Sequence, residues 1–404
     1  MSGQILNGMT IVDMSTLLAA PLASSLLSDF GARVIKIEHP VGGDPLRAFP
    51  PYRDGVPLQN KVVNRNKESV AIDLHAAEGQ ALVKRIVARA DALVTNFRLE
   101  TLQGWGLDYP DLLPHAPSLV MLHITGFGRT GRYKNRPGFA RVAESFSGLT
   151  HMTGFPDRSP LFAGYPIADA VGGIYGAFGL AMGLLHRQRT GEGQLVEFGL
   201  FEPLLKVMEN LVIGYDQAGV VPEREGTHNR EVAPNDVYRC QDDRWIVVPA
   251  STQRMFERLA TAIGRPELRT DERFVDNVAR VRHRGLLDEE LHGYFASHDA
   301  REVVELLTRA GVAAGQINSI ADLVTDEHIR ERELLVRVAD AELGTAPLVQ
   351  DALPRMSATP GAIRSLGESI GRSTASVLTE FGCSTEEIER LAASGTIRID
   401  GSER

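Results

Sequence analysis

Short, nearly unbroken apolar runs alternate with longer segments of helical period through the first half of the chain. Residues 9–15 (MTIVDMS) read as a buried strand, 19–30 as a helix stopped by Gly31, and 33–38 (RVIKIE) as a second strand. Strand, helix and strand in that order predict a parallel pair with a right-handed crossover. Residues 69–74, 91–95, 118–125 and 194–198 continue the series, with an amphipathic helix over 76–90. The unbroken apolarity of SLVMLHIT at 118–125 is what a strand covered on both faces requires. Further helices are expected from about Arg141, from Asp169 onward, and over 200–218, whereas 39–64, rich in glycine and proline, reads as loop.

The pattern changes near Val220. VVPEREGTHNREVAPND is polar and turn-rich and reads as a linker. Beyond it, a hairpin of 237–239 and 245–248 and helices over 252–263, 281–295 and 300–310 form a smaller α+β unit. Residues 313–317 and a helix over 320–330 lead out of it. Short strands follow from about Glu333, then helices over 373–380 and 384–394. No internal repeat or low-complexity tract occurs.

The stretch YPIADAVGGIYGAFGLAMGLL, 165–185, holds one acid, Asp169, and no other charge. Gly172, Gly176, Gly179 and Gly183 share one helical face. Each costs about 0.8–1 kcal/mol against alanine, so close approach of another helix or a ligand must offset them. Asp169 falls at the helix start, where free N–H groups and the dipole are expected to keep it ionised. Two uses are open: an N-cap, or a carboxylate aimed at a substrate as nucleophile. The apolar run after it is about 16 residues, short of the ~20 that span a bilayer, so no membrane segment is expected.

Composition narrows the chemistry. With 404 residues, 43% hydrophobic and 24% charged, the chain is globular and long enough for two or three domains. A net charge of −9 argues against a nucleic-acid or anionic-membrane partner. The start, MSGQILNGMT, is not a signal peptide, and two distant cysteines suit a reducing cytoplasm. No CxxC or HExxH occurs, no nucleophilic-serine motif stands out, and the histidines do not cluster at metal spacing, so no metal is expected. The loop after the first strand carries neither GxGxxG nor a P-loop. His123, inside the apolar strand, reads as a satisfied core histidine. The glycine-rich loop GFGRTGRYKNRPGF carries Arg129, Arg132, Lys134 and Arg136. Alone it reads as a solvated turn; with Arg65, Lys67 and Arg98 near other strand ends, it suits an anionic ligand with several phosphates.

Taken together, these pieces resemble the family III CoA-transferases, the family of formyl-CoA transferase and carnitine CoA-transferase, over nearly the whole chain. The resemblance rests on GMTIVDMSTLLAAPLASSLLSDFGARVIKIE, NRNKESVAIDL, Asn96–Phe97, GFGRTGRYKNRPG, IADAVGG and RQRTGEGQ. It implies that Asp169 is the catalytic nucleophile, passing through an anhydride and an aspartyl-CoA thioester. It implies CoA contacts at Ala19, Ile72, Leu74, His75, Asn96, Phe97, Arg98 and Arg136, and substrate contacts at Phe139 and Arg141. CoA and acyl-CoA are then substrates, and no cofactor is tightly bound. The implied architecture is α/β: a Rossmann-like large domain built from both chain ends (1–218 and 326–404), a linker (219–234) and a small α+β domain (235–325). Ring-shaped chains interlock in a dimer, of identical chains or with a related chain. The glycine face then reads as room for the thioester or the partner subunit.

Departures from the family pattern stand at His39, His75 and Gly104, where relatives often carry a basic residue. A racemase of the same family would pair a histidine with the acid, but the aligned position is Phe139, and its neighbour Ala140 lacks an acid. GFARVAESFSG resembles the branch that uses succinyl-CoA with malate, citramalate, benzylsuccinate or similar dicarboxylates, for which Arg141 or Arg136 could hold the second carboxylate. A further alternative is a CoA-binding subunit of a heteromeric transferase.

Overall fold

A computed structural model describes residues 3–400. Six strands form one parallel sheet: β1 (Thr10–Met14), β2 (Arg33–Glu38), β3 (Lys67–Ile72), β4 (Ala92–Thr95), β5 (Val120–Thr125) and β6 (Leu195–Gly199). They lie in the order β3-β2-β1-β4-β5-β6. A seventh strand, β7 (Ile397–Arg398), joins antiparallel beside β3, with Ile397 opposite Ile72. The chain lays β2 and β3 to one side of β1 and β4 to β6 to the other. At such a reversal the connections leave in opposite directions, and a crevice opens outside the carboxyl ends of the two central strands, here β1 and β4.

Alternation sets the two faces. Val12 and Met14 of β1 join Ile35, Val70, Ile72 and Leu93 in one apolar core. Ile11 faces the other core with Val34, Val94, Leu122 and Ile124. That second core is roofed by helices α1 (Ala19–Ser28), α2 (Ala140–Phe146) and α3 (Ile167–Thr190).

The α3 glycines are filled from within the chain, which corrects the expectation of room for a thioester or a partner. A Cβ at Gly183 would lie 2.6 Å from a Val120 methyl; one at Gly173 would lie 2.8 Å from a Leu22 methyl and 2.9 Å from the Ala19 carbonyl oxygen. The helix runs past the apolar stretch to Thr190, so among the described residues it is long and apolar enough to cross a membrane by length and composition. One face of it packs on α1 and the sheet. Gly173→Ala gains about 1 kcal/mol of helix propensity, but overpacking against a backbone carbonyl costs about 1–3 kcal/mol. The expected net is a lower urea midpoint with an unchanged slope, together with reduced activity, because Ala19 and Asp169 flank the same contact.

By its contacts the chain divides into two units, one holding residues up to Leu149, Phe162–Val220 and Arg332 onward, the other Thr150–Leu161 and Val221–Glu331. The second unit has its own three-stranded antiparallel sheet, Asn235–Arg239, Trp245–Pro249 and Gly315–Gln316. Its separate core includes Tyr238, Ile246, Phe256, Phe274, Phe295 and Leu307.

Several elements differ from the periodicity. The helix expected over 200–218 is two, Glu202–Val207 and Glu209–Ala218, and the second buries no side chain. Most helical stability comes from packing, and among the described residues the second piece has no buried side chain to fix it on the axis of the first. The helix expected over 281–295 likewise breaks at His283 into Asn277–Arg282 and Arg284–Phe295. Within 39–64 a short helix, Leu58–Val63, replaces part of the expected loop. Two short helices, Leu99–Trp105 and Tyr109–Leu112, are not among the expected elements; Gly106 ends the first in a left-handed turn, and Asp108 with Asp111 forms a capping box on the second.

Candidate active site

A pocket of about 200 Å³ opens at the reversal point of the sheet. Its walls come from Thr16–Ala19 after β1, Asn96 and Arg98 after β4, Ile124–Gly126 at the end of β5, and Lys134 and Arg136–Phe139 of the basic loop. Asp169 and Leu200 complete it.

The first wall is held from below. The Asn96 amide bonds Thr16 twice, donating to its carbonyl at 2.8 Å and accepting its N–H at 2.9 Å. The Leu17 N–H donates to Asp44 Oδ1 at 2.9 Å. These contacts hold Leu17 at φ 67°, a region that costs a side-chain-bearing residue about 1 kcal/mol or more. Asp44 pairs in turn with buried Lys36 at 2.9 Å, and Lys36 and Lys67 both approach the fully buried Asp13.

Asp169 is the third residue of α3, and Pro166 occupies the cap position, so the carboxylate is not an N-cap. Its ionisation also runs against expectation. Burial, and after it the negative charge of Glu144 on α2, push Asp169 up to about 6. Desolvation and a neighbouring carboxylate outweigh the helix dipole here. At neutral pH the group is still mostly ionised, and it is more basic than an ordinary aspartate.

Ala19, Asn96, Arg98, Arg136, Phe139 and Asp169, all singled out from the sequence, meet at this pocket. The other sequence candidates lie elsewhere. Ile72 and Leu74 are core residues. Phe97 packs edge-on against Trp105, and its carbonyl accepts from His123 at 2.7 Å. His75 is exposed, with its ring against Trp105 and near His39. Arg141 does not line the pocket; it pairs with Glu144 at 2.8 Å, donates to the Ala163 carbonyl at 2.9 Å and covers the Phe162 ring.

The cations also divide. Lys134, Arg136 and Arg98 face the pocket, with the Arg136 guanidinium 3.7 Å from the centre of the Tyr133 ring. Arg129 is drawn inward to Asp108 and to His123, where burial first and the Arg129 charge second lower the imidazole to about 4. Arg65 is tied to Asp29, and Lys67 is sealed beside Asp13. Those three are therefore not available to an anion, a correction to the full basic set read from the sequence.

Sequence reasoning gave no role to Glu144, although it sits inside GFARVAESFSG, or to Asp44, which sits in no motif. Two groups of metal-ligating side chains also come within 4.8 Å of one another, His39 with Asp73 and His75, and His228 with Asp236 and Asp288. Linear spacing conceals both. In each, a histidine is already paired with an aspartate, at 3.0 Å for His75 and 2.7 Å for His228.

Comparison with known proteins places this geometry. The description of CoA-transferase family III matches residues 6–371. The succinyl-CoA–L-malate CoA-transferase alpha subunit of Chloroflexus aurantiacus is 38% identical over 390 residues, covering 96% of this chain and 91% of the relative. The succinyl-CoA–D-citramalate CoA-transferase of the same organism is 37% identical over 394 residues, covering 97% of this chain and 98% of that one. A solved CAIB/BAIF family protein from Brucella suis superposes with a TM-score of 0.86 at 31% identity, covering 94% of this chain and all of that one. A full-length match at these identities, on a parallel sheet with its pocket at the reversal point, means that the chain belongs to CoA-transferase family III.

Proposed function

We propose that the chain moves CoA from succinyl-CoA to a dicarboxylate such as malate or citramalate, with Asp169 as the nucleophile. The observation that carries this is an acid of raised basicity on the wall of a pocket that also holds Arg98, Lys134 and Arg136. The carboxylate attacks the thioester carbonyl, the C–S bond breaks, and a mixed anhydride forms as CoA thiolate departs. The thiolate then attacks the aspartyl carbonyl to give an aspartyl-CoA thioester and free succinate. The acceptor carboxylate repeats the sequence in reverse. CoA lies along Ala19, Ile72, Leu74, His75, Asn96, Phe97, Arg98 and Arg136, with the Ile72–His75 contacts made through backbone and strand end. Phe139 and Arg141 adjoin the acyl and acceptor groups. CoA is a substrate here, and no tightly held cofactor is needed.

The working form is an interlocked dimer in the cytoplasm, with a second copy or a related chain. Ile174, Phe178 and Met182 form an exposed apolar row on α3, and Glu209–Ala218 exposes Val212, Ile213 and Tyr215. Rows of this kind mark contact surfaces. Relatives named as alpha and beta subunits of one enzyme fit a related partner. If activity appears only on mixing with such a chain, this one is a subunit of a heteromer. The racemase alternative is disfavoured: among the described residues no histidine lines the pocket, and Phe139 cannot carry a proton.

Incubation with succinyl-CoA and no acceptor is expected to raise the intact mass by CoA less one water. Hydroxylamine should then leave a hydroxamate on the peptide containing Asp169. A catalytically active preparation that traps nothing on that peptide would exclude the covalent route. Mass spectrometry of a dicarboxylate panel identifies the acceptor, and loss of an α-proton to solvent deuterium faster than CoA exchange would restore the racemase reading.

A further inference from the structure

Glu144 has no part in the scheme above, yet its setting is unusual. It lies on α2, 1% exposed. Arg141, one turn earlier, reaches its Oε2 at 2.8 Å, while Oε1 is buried with no hydrogen-bond partner. An unsatisfied oxygen on a buried carboxylate is costly and calls for a reason. Helix α2 packs on α3, and the Glu144 carboxylate comes near enough to Asp169 for the two charges to repel. The other titratable or charged groups around Asp169 are Tyr165, on the segment ahead of α3, and Arg98, Lys134 and Arg136 on the pocket wall.

We propose that Glu144 is a positioning residue that drives negative charge off Asp169 during acylation, with Arg141 holding it in place. This rests on Asp169 being the nucleophile. In that step an Asp169 oxygen bonds the thioester carbonyl carbon, the C–S bond breaks, and the electron pair leaves with the CoA sulfur. The negative charge moves from Asp169 to the thiolate, away from Glu144. Repulsion present in the resting site is relieved as the bond forms, so the interaction differs between ground and transition states, as rate acceleration requires. The same repulsion makes Asp169 more basic and a better nucleophile. Arg141 completes the device. Its guanidinium, 2.8 Å from Glu144 Oε2, fixes the carboxylate in place beneath α3.

The test is the pH dependence of kcat for wild type, Glu144→Gln and Glu144→Asp. Wild type should lose activity below about pH 6, as Asp169 protonates. Glu144→Gln should move that acid limb down by about 0.5–1 pH unit. It should also lower kcat above the limb by about threefold to tenfold, with KM for succinyl-CoA changed less than about twofold. Glu144→Asp keeps the charge and should keep the limb near its wild-type position. If Glu144→Gln folds poorly, Glu144→Met fills similar space without an unpaired polar group, and the same limb shift is expected. A lower kcat with an unmoved limb in both neutral variants would mean that Glu144 only supports packing, and the proposal falls. Trapping the Asp169 adduct in wild type separates the two readings: with no adduct the nucleophile assignment fails, and with an adduct but a fixed limb only the Glu144 assignment fails.

Discussion

Asp169→Asn is expected to lower CoA exchange by about 10⁴-fold or more, the scale seen when a covalent nucleophile is removed. The same variant is expected to be more stable than wild type, not less. Burial, with Glu144 beside it, raises the folded-state pKa to about 6, above the ordinary carboxylate value near 4. The unfolded chain therefore releases this proton more readily than the folded one. As pH rises from about 4 through 6, folding loses free energy on account of this group, and above 6 the loss is constant. The neutral amide escapes it, for a gain on the order of 2–3 kcal/mol at pH 7 that vanishes below about pH 4. Exchange assays and urea midpoints at pH 4 and pH 7 check both halves. Loss of activity with an equal loss of stability at pH 7 would mean that Asp169 serves the fold. Activity above about 1% of wild type would remove it from the chemistry.

The second large effect lies beneath the pocket floor. Asp13, fully buried, accepts from Lys67 and from Ser24, each at 2.7 Å, while Lys36 stands 3.5 Å away and reaches on to Asp44. Asp13→Asn leaves two buried ammonium groups with one carboxylate between them. Removing one member of such a set costs about 3–5 kcal/mol, a large share of a typical 5–15 kcal/mol. Asp13→Asn combined with Lys67→Met removes a charge of each sign and should recover part of that loss. Burial by itself would raise Asp13, but the charges of Lys36 and Lys67 outweigh it and hold the carboxyl well below its usual range. Its stabilisation is therefore complete above about pH 4 and is lost as pH falls toward the folded value. Wild type should lose stability steeply below pH 4, and Asp13→Asn less so, by denaturant titration at each pH. Because Asp44 links Lys36 to the Leu17 N–H, the single variant should also raise KM for the CoA thioester.

Much of this was readable before any coordinates. Strands such as β4 and β5 came through because they are buried along nearly their whole length, and an apolar run needs no distant partner to be recognised. The dense glycines of 172–183 announced close packing, although not that α1, Val120 and Leu200 would supply it. Asp169 stood out because it is the one charge in a long apolar stretch. The basic loop was visible as a whole, but not its division into Arg129 turned inward and Lys134 and Arg136 turned to the pocket. That division depends on Asp108 and His123, which no local pattern connects to the loop.

The amino-acid sequence alone determined the parallel α/β class and the family and singled out Asp169 as a candidate, since these follow from local period and ordered motifs. The tertiary structure decided the state of that acid. Its raised basicity comes from burial and from Glu144, a residue 25 positions earlier that only the packing of α2 on α3 brings near. It also decided which cations remain free for a ligand, because a charge is available only if no buried partner of opposite sign lies within a few ångströms, and such distances are set by the fold.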